Sequence, residues 1–390
     1  MVAFFAPGRL NFLQSDIPDT MDLFVYGTLM APQLFAAVSG LDGAKDQSAE
    51  LSGFEVRRIA GNVVPTICAA DGSVNGVLWT GLDEAAIQRL DLYERAFGYT
   101  PQKVNVTVNG QAHSVLCYMP PAGQEVLEQP WRLKDWETDH LRPAILAAEE
   151  LFSHDPLPDP AQLRRMWPMI ESRAWAKTRV AQAPSTTRFS ATEEDVTITA
   201  KQPPTGGFFR MQNIDVHHRR FQGDRSATLN REIFIAVDAA MVLPYDPIRD
   251  KVLLVEQVRF GPKMRQDPNP WMLEPVAGII DARETPEQAA MRETEEEAGL
   301  KLRHLVPAGS FYASPGATTD YFYTFVGLCD LPQDAPYFGG LAEEGEDIRL
   351  HPVTYDAALQ LADSGEIQVG PLLFLLNWLS RHRDRLRTMA

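Results

Sequence analysis

Between residues 21 and 120 short apolar runs alternate with turn-forming residues, a pattern that predicts a series of strands. From residue 131 to 178 the apolar positions move to helix-like intervals: Leu141, Ile145 and Leu146, then Leu163, Met166 and Ile170. Periodicity is lost over 181–195, where Pro184, Ser185, Thr186 and Thr187 cluster, and a domain seam is expected near residue 185. Beyond it strands are expected at 233–237, 239–243 and 252–258, the last two joined by a turn on Asp246, Pro247 and Asp250. A central helix, more strands and a final helix around 371–383 complete a second α/β domain. Residues 1–20 precede the strand pattern and carry no recognisable chemistry; an extended start and a loosely ordered leader fit them equally.

Composition narrows the classes. A chain of 390 residues, 45% hydrophobic, has two domains as its default organisation. No stretch approaches the ~18 consecutive apolar residues of a membrane span, and the first 12 residues lack a secretory layout. A soluble, cytoplasmic protein is expected. Cys68, Cys117 and Cys329 are widely spaced in apolar surroundings, which suggests small core residues in a reducing compartment and no disulfide framework. The formal charge of -16, with no basic run to reverse it, argues against nucleic acid as a partner.

The chemistry is concentrated between Gly278 and Leu300. Thr285 caps a helix, Pro286 suits its first position, Gln288 completes a capping box and Gly299 terminates it. At ~100° per residue, Glu293, Glu296 and Glu297 share one face, while Met291, Thr294 and Ala298 are left to face the core. Like charges at this spacing cost helix stability, and a hard cation such as Mg²⁺ or Mn²⁺ would neutralise them. A bare Glu-rich run is ordinarily a solvated face. Here, however, Gly278 is followed after five residues by Glu284 and after seven more by Arg292, Glu293, Thr294, Glu295, Glu296, Glu297, Ala298, Gly299 and Leu300. That spacing resembles the Nudix hydrolase signature at every fixed position, with Thr294 where an aliphatic residue is commoner. The resemblance implies that Glu293 and Glu297 are the main metal ligands, that Glu296 and the Ala277 carbonyl complete the set, and that Glu284 and Arg292 brace the loop against the helix.

Outside this box, the stretches Gly207–Met211, Arg231–Phe234, Glu256–Arg259 and Leu273–Gly278, with Pro315 lying 15 residues after Leu300, resemble the bacterial ADP-ribose pyrophosphatase subfamily over about 193–390. The implied reaction is Mg²⁺-dependent hydrolysis of a nucleoside diphosphate sugar, ADP-ribose giving AMP and ribose 5-phosphate, with GDP-mannose as the alternative. By the same resemblance the catalytic base lies on the loop 340–348, with Glu344 first and Glu346 second. Arg231 and Arg259 would contact phosphates and Phe234 would stack on adenine. The subfamily is similar to homodimers in which the segment up to Arg231 crosses to the partner subunit. Some relatives carry a tellurite-resistance label, a phenotype that leaves the chemistry open.

In the first domain a strand runs into Tyr26, Gly27, Thr28 and Leu29, with Pro32 at a helix start, a place where backbone amides can hold an anion. This tetrad, with Val64, Pro65, Leu90, Asp91, Leu92, Tyr93, Glu94 and Tyr99, resembles the γ-glutamylcyclotransferase (AIG2-like) fold, although Arg95 stands where that family usually has glycine. The resemblance implies that Glu94 shuttles a proton while amides of Tyr26 to Leu29 hold the substrate. The alternative is a metabolite-binding domain that regulates the hydrolase. The expected fold is α/β (α+β): a cyclotransferase-like barrel with a helical extension over 21–180, then a Nudix α/β/α sandwich over 193–390.

Overall fold

The first apolar runs close on themselves. In a computed structural model, which describes residues 21–181, 183–332, 336–341 and 345–388, the chain divides into two compact units, Met1–Trp167 and Pro168–Ala390. Residues 1–20 lie outside the described residues. In the first unit β1 (Met21–Val25) leads through a 3-10 turn into α1 (Pro32–Ser39), and β2 (Lys45–Ile59) and β3 (Pro65–Leu82) form a long hairpin. There follow α2 (Glu84–Ala96), β4 (Thr100–Val108), β5 (Gln111–Met119), β6 (Val126–Leu127) and α3 (Leu133–Leu151). β1 pairs antiparallel with β3 and parallel with β5, β5 pairs with β4, β4 with β2, and β2 again with β3. Five strands thus complete a ring, and β6 extends it beside β2.

Alternation along β1 sorts its residues between two cores. Phe24 joins Leu51, Ile67, Leu78, Val106 and Cys117 within the ring, whereas Leu23 and Val25 join Leu34, Phe35, Trp79 and Leu90 under the helices. Phe35 stacks on Trp79 with ring centroids 4.1 Å apart. β3 crosses β1 so closely at Gly76 that a Cβ there would stand 2.3 Å from the Val25 carbonyl oxygen, which only glycine permits. Of the three cysteines Cys117 and Cys329 are buried as expected, but Cys68 is only half-buried, on the hairpin opposite Glu55.

The helix α4 (Pro160–Thr178) carries the division between units at Trp167 and Pro168, earlier than the seam expected near residue 185. Its contacts explain the difference. Trp167 packs edge-on against Tyr93 and Phe97, whereas further along Arg173 donates to the Phe208 carbonyl at 3.0 Å.

The second unit contains β7 (Val196–Lys201), β8 (Thr205–Gly206), β9 (Arg210–His218) and β10 (Leu229–Ile235) in one antiparallel sheet. A larger sheet follows from β11 (Asp238–Asp246), β12 (Lys251–Val258), β13 (Trp271–Glu274), β14 (Val276–Ile279), β15 (His304–Tyr312), β16 (Tyr321–Leu328), β17 (Tyr337–Gly339) and β18 (Ile348–Thr354), with a short α5 (Phe260–Met264) between β12 and β13. The central order is β15-β16-β11-β12-β18-β17; β14 pairs with β11 and β13 with β12. The run expected at 233–237 therefore spans a change of sheet, where Ala236 leaves the β9 ladder and donates to Thr319 Oγ1 at 2.9 Å.

Residues of β11 and β12 alternate between the faces of this sheet. Leu243, Tyr245, Val252 and Leu254 pack with α7 (Tyr355–Ser364) and α8 (Gly370–Arg387). Ala240, Val242, Leu253 and Val255 pack with α6 (Pro286–Ala298) through Ala289, Ala290 and Ala298. Helices cover both faces, so the second unit is an α/β/α sandwich. Among the described residues no helix is long and apolar enough to cross a membrane.

Candidate functional site

The ends of α6 are written in its sequence. Gln288 N donates to Thr285 Oγ1 at 3.2 Å, Thr285 N donates to Gln288 Oε1 at 2.8 Å, and Gly299 takes the left-handed conformation at φ 64. Thr294 turns inward, fully buried, and returns its hydroxyl to the Ala290 carbonyl at 2.7 Å. Met291 does not join the core as expected: it is 53% exposed, because the small Ala289, Ala290, Thr294 and Ala298 already fill the narrow face against the sheet.

The opposite face carries the carboxylates. Glu297 is 1% exposed and accepts from Ala277 N at 3.2 Å, which ties α6 to β14. Arg292 donates to both oxygens of Glu284, at 3.0 and 2.9 Å, to the Ile279 carbonyl, to Glu293 at 2.6 Å and to Glu296 at 2.9 Å. One guanidinium thereby holds loop and helix in register. A Cβ on Gly278 would fall 1.9 Å from the Glu293 carboxyl, so the strand reaches this face only because residue 278 has no side chain.

Burial pushes Glu297 up to about 8, with Glu346 and Glu293 adding to the rise against the Ala277 N–H and Arg259. Burial likewise pushes Glu293 up to about 7, against Arg292. Burial would raise Glu284 too, but the hydrogen bonds from Arg292 hold it below its usual range. Glu346, half-buried, accepts from Leu341 N at 3.1 Å. Glu344 lies outside the described residues.

Arg259 is held by Glu274 through Nε at 3.1 and 2.9 Å and Nη2 at 2.7 Å. Desolvation acts to lower the guanidinium, but Glu274, with Glu297 and Glu346 nearby, keeps it raised. An open recess of 340 Å³ adjoins it, lined also by Arg265, Asp267, Met272 and Gln368. Arg259, Glu293, Glu297 and Glu346 therefore share one electrostatic neighbourhood. Arg231 and Phe234 do not join them: Arg231 donates to its neighbour's carbonyl on Asn230, and Phe234 packs against Phe209 and bonds to Ala317 and Thr319.

Among the described residues no three side chains are already gathered in metal-binding geometry; Arg292 Nη1 holds an oxygen of both Glu293 and Glu296. The donor set still fits a hard divalent cation. It is all oxygen, and its carboxylates are desolvated and raise one another, a condition that a cation relieves. Sequence reading named Glu274 only within a stretch of resemblance and missed its grip on Arg259, which depends on β12 pairing with β13. It also missed Arg179, which donates to the carbonyls of Asp281 and Glu284 and to Asp238.

In the first unit Glu94 on α2 is half-buried, and desolvation pushes its carboxyl up to about 8. Its charge in turn helps to raise Tyr26, Tyr99, Cys117 and Tyr118, so these groups surround it. Tyr26 donates to the Tyr118 carbonyl at 3.1 Å, which fixes the start of the turn Gly27, Thr28, Leu29. The N–H groups of Thr28 and Leu29 find no acceptor among the described residues. Arg95 turns to Asp91 at 2.6 Å, and Tyr118 donates to the other oxygen of Asp91 at 3.3 Å. Thr66 and Gln124, near the Tyr99 hydroxyl, had no signal in the sequence.

Two family descriptions match the chain: "Gamma-glutamyl cyclotransferase, AIG2-like" over residues 23–138 and "NUDIX domain" over residues 236–368. An ADP-ribose pyrophosphatase of Escherichia coli is 40% identical over 195 residues, 50% of this chain and 92% of the relative. An ADP-ribose pyrophosphatase of Haemophilus influenzae is 38% identical over 197 residues, 50% of this chain and 90% of the relative. A GDP-mannose pyrophosphatase of an Enterobacter species is 30% identical over 172 residues, 44% of this chain and 88% of the relative.

Proposed function

The chain belongs to the NUDIX family, and on that premise we propose that its second unit hydrolyses the diphosphate of ADP-ribose to AMP and ribose 5-phosphate. The observation that carries this reading is the desolvated pair Glu293 and Glu297 on α6, set beside a cation, Arg259, that Glu274 locks in place. Glu293, Glu297 and Glu296, with the Ala277 carbonyl, would hold Mg²⁺ or Mn²⁺. Once bound, the ion supplies charge neutralisation for the diphosphate and acidity for a water.

The chain's own groups do the rest. Ala277 N fixes one Glu297 oxygen and leaves the other directed to its task. Arg292 keeps the helix face and loop from separating as charge moves through the site. Arg259, pre-oriented, donates to phosphate oxygens as they gain charge, so little reorganisation is needed. Glu344 takes the proton of the attacking water and Glu346 is the second candidate; attack at phosphorus breaks the P–O–P bridge, and the leaving phosphate carries the bridging oxygen. In a homodimer Arg231 and Phe234 would serve the partner's site. The exposed apolar residues Val196, Ile198, Phe209 and Met211 on β7 and before and on β9 support that assembly. Light scattering at micromolar concentration is expected to give twice the chain mass, and a monomer mass would remove this element.

The Enterobacter relative keeps GDP-mannose as a second reading. Parallel kcat/KM measurements decide between them: ADP-ribose is expected to be preferred at least about tenfold, with AMP as product, and a preference for GDP-mannose would reverse the assignment.

For the first unit the reading is γ-glutamylcyclotransferase-like chemistry. Glu94 takes a proton from the substrate α-ammonium, the freed amine forms the new C–N bond at its own γ-carbonyl and sheds a second proton, and the departing amine takes both as the old C–N bond breaks and leaves as its ammonium, giving 5-oxoproline. The observation favouring it is a carboxyl pushed to about 8, suited to exchanging a proton near neutral pH. Retention of the same groups for metabolite binding alone is the alternative.

A further inference from the structure

The turn that leads into α6 is built on an unfavourable residue. Arg283 takes the left-handed conformation at φ 69. A side chain is disfavoured there because its Cβ crowds the following carbonyl oxygen, and glycine is the residue that avoids the cost. The turn is tight all the same: Glu284 N donates to the Asp281 carbonyl at 3.2 Å, and Asp281 N donates to Glu284 Oε2 at 3.1 Å.

Its support comes from the part of α4 that belongs to the second unit. Arg179, the residue after the end of that helix, donates through Nη2 to the Asp281 carbonyl at 3.0 Å and to the Glu284 carbonyl at 3.1 Å, so one nitrogen bridges the two ends of the turn. Its Nη1 donates to Asp238 at 3.3 Å, at the start of β11, where the Asp238 carbonyl accepts from Ile280 N at 3.0 Å. The Arg179 and Asp238 side chains are 12% and 7% exposed, so water competes little for these bonds. Further back on α4, Glu171 accepts from Arg283 itself at 3.2 Å. Both groups lie outside residues 236–368, over which the NUDIX description matches.

The turn acts on the carboxylates through its last residue. Glu284 engages Arg292 with both oxygens, and Arg292 also reaches Glu293 and Glu296. With Glu284 in place the guanidinium is shared between loop and helix. If the turn relaxes, Glu284 withdraws and Arg292 closes on Glu293 and Glu296 as their counter-ion, in competition with a bound cation.

We propose that Arg179, together with Glu171, is a positioning residue for the α6 carboxylates: it stabilises the left-handed turn at Arg283 and, through Glu284 and Arg292, keeps Glu293 and Glu296 open to a divalent cation. The assignment rests on the reading of that helix face as a metal site.

Mn²⁺ alone, without substrate, is the probe. Titration of the full chain, followed by the paramagnetic resonance of free Mn²⁺, measures binding, and the part lost in Glu297→Gln defines the site. Arg179→Lys keeps a charge beside Asp238 but not the planar fork, and it is expected to weaken Mn²⁺ about tenfold. Adding Arg283→Gly to that variant is expected to restore affinity to within about twofold of wild type, since glycine takes the turn unaided. A general loosening of the fold would not be repaired at that one position. Glu171→Gln stands in if Arg179→Lys does not fold; it is expected to weaken Mn²⁺ several-fold in the wild-type background and not at all in Arg283→Gly. Equal affinity in wild type and the variant tested, or a loss that Arg283→Gly leaves in place, overturns the positioning role while the metal site stands. A wild type with no Mn²⁺ site that Glu297→Gln removes overturns the metal reading and the positioning role with it.

Discussion

Glu94 and Glu297 meet the same physics with different company. Both carboxyls are desolvated and pushed up to about 8, but Glu297 has the Ala277 N–H and the Arg259 charge to draw it back, whereas Glu94 has neither. A carboxyl raised in this way binds more protons in the folded chain than in the unfolded one. Its contribution to stability is complete below the ordinary value near 4.5 and is lost as pH rises through about 8. Glu94→Gln stays neutral throughout. Its melting temperature relative to wild type is therefore expected to climb between pH 5 and pH 8 and to level off above, with the variant the more stable at pH 9. Calorimetric melts across that range check this, and a gap that does not vary with pH would show that Glu94 is not desolvated. The carboxylates of α6 were legible in the sequence because helix geometry fixes which of them share a face. Glu274, Thr66 and Gln124 were not, since nothing local says that Arg259 meets a residue 15 positions on, or that segments from β3, after α2 and after β5 converge on one hydroxyl.

At the scale of elements, α6 is the part of the chain whose sequence and structure agree most fully. Its cap, first proline and terminal glycine lie where local chemistry requires them. Met291 departs because helix periodicity says which way a residue points but not how wide a strip the sheet covers. Thr285→Ala removes one half of the capping box and is expected to cost the second unit about 1 kcal/mol, with turnover close to wild type because Arg292 still holds the helix to its loop. Denaturant titration checks the loss; an unchanged midpoint would mean that packing alone sets the helix start. The strands of the first unit were legible from alternation, whereas their closure into a barrel was expected only through the family resemblance. Alternation identifies which residues face inward, and only the parallel pairing of β1 with β5 and the return of β2 to β3 make a ring. The two compact units divide at Trp167 and Pro168, ahead of the loop near residue 185: loss of periodicity marks a loop, whereas the division of contacts falls within the preceding helix.

For the whole molecule, two units with separate cores each surround a desolvated glutamate site, in a chain whose formal charge is -16. Such a charge repels an anionic diphosphate at a distance, so local cations must supply the attraction. In the second unit those are Arg259 and the divalent ion that Glu293, Glu296 and Glu297 would bind. On the proposed function, hydrolysis then depends jointly on the metal and on the α6 carboxylates. The direct measurement is AMP release from ADP-ribose by the full chain, with Mg²⁺ added or chelated, for wild type and for Glu297→Gln. The account predicts turnover only with Mg²⁺ and a fall of about 100-fold or more in kcat for Glu297→Gln. Turnover that persists with the metal chelated, or that is indifferent to the substitution, would contradict it.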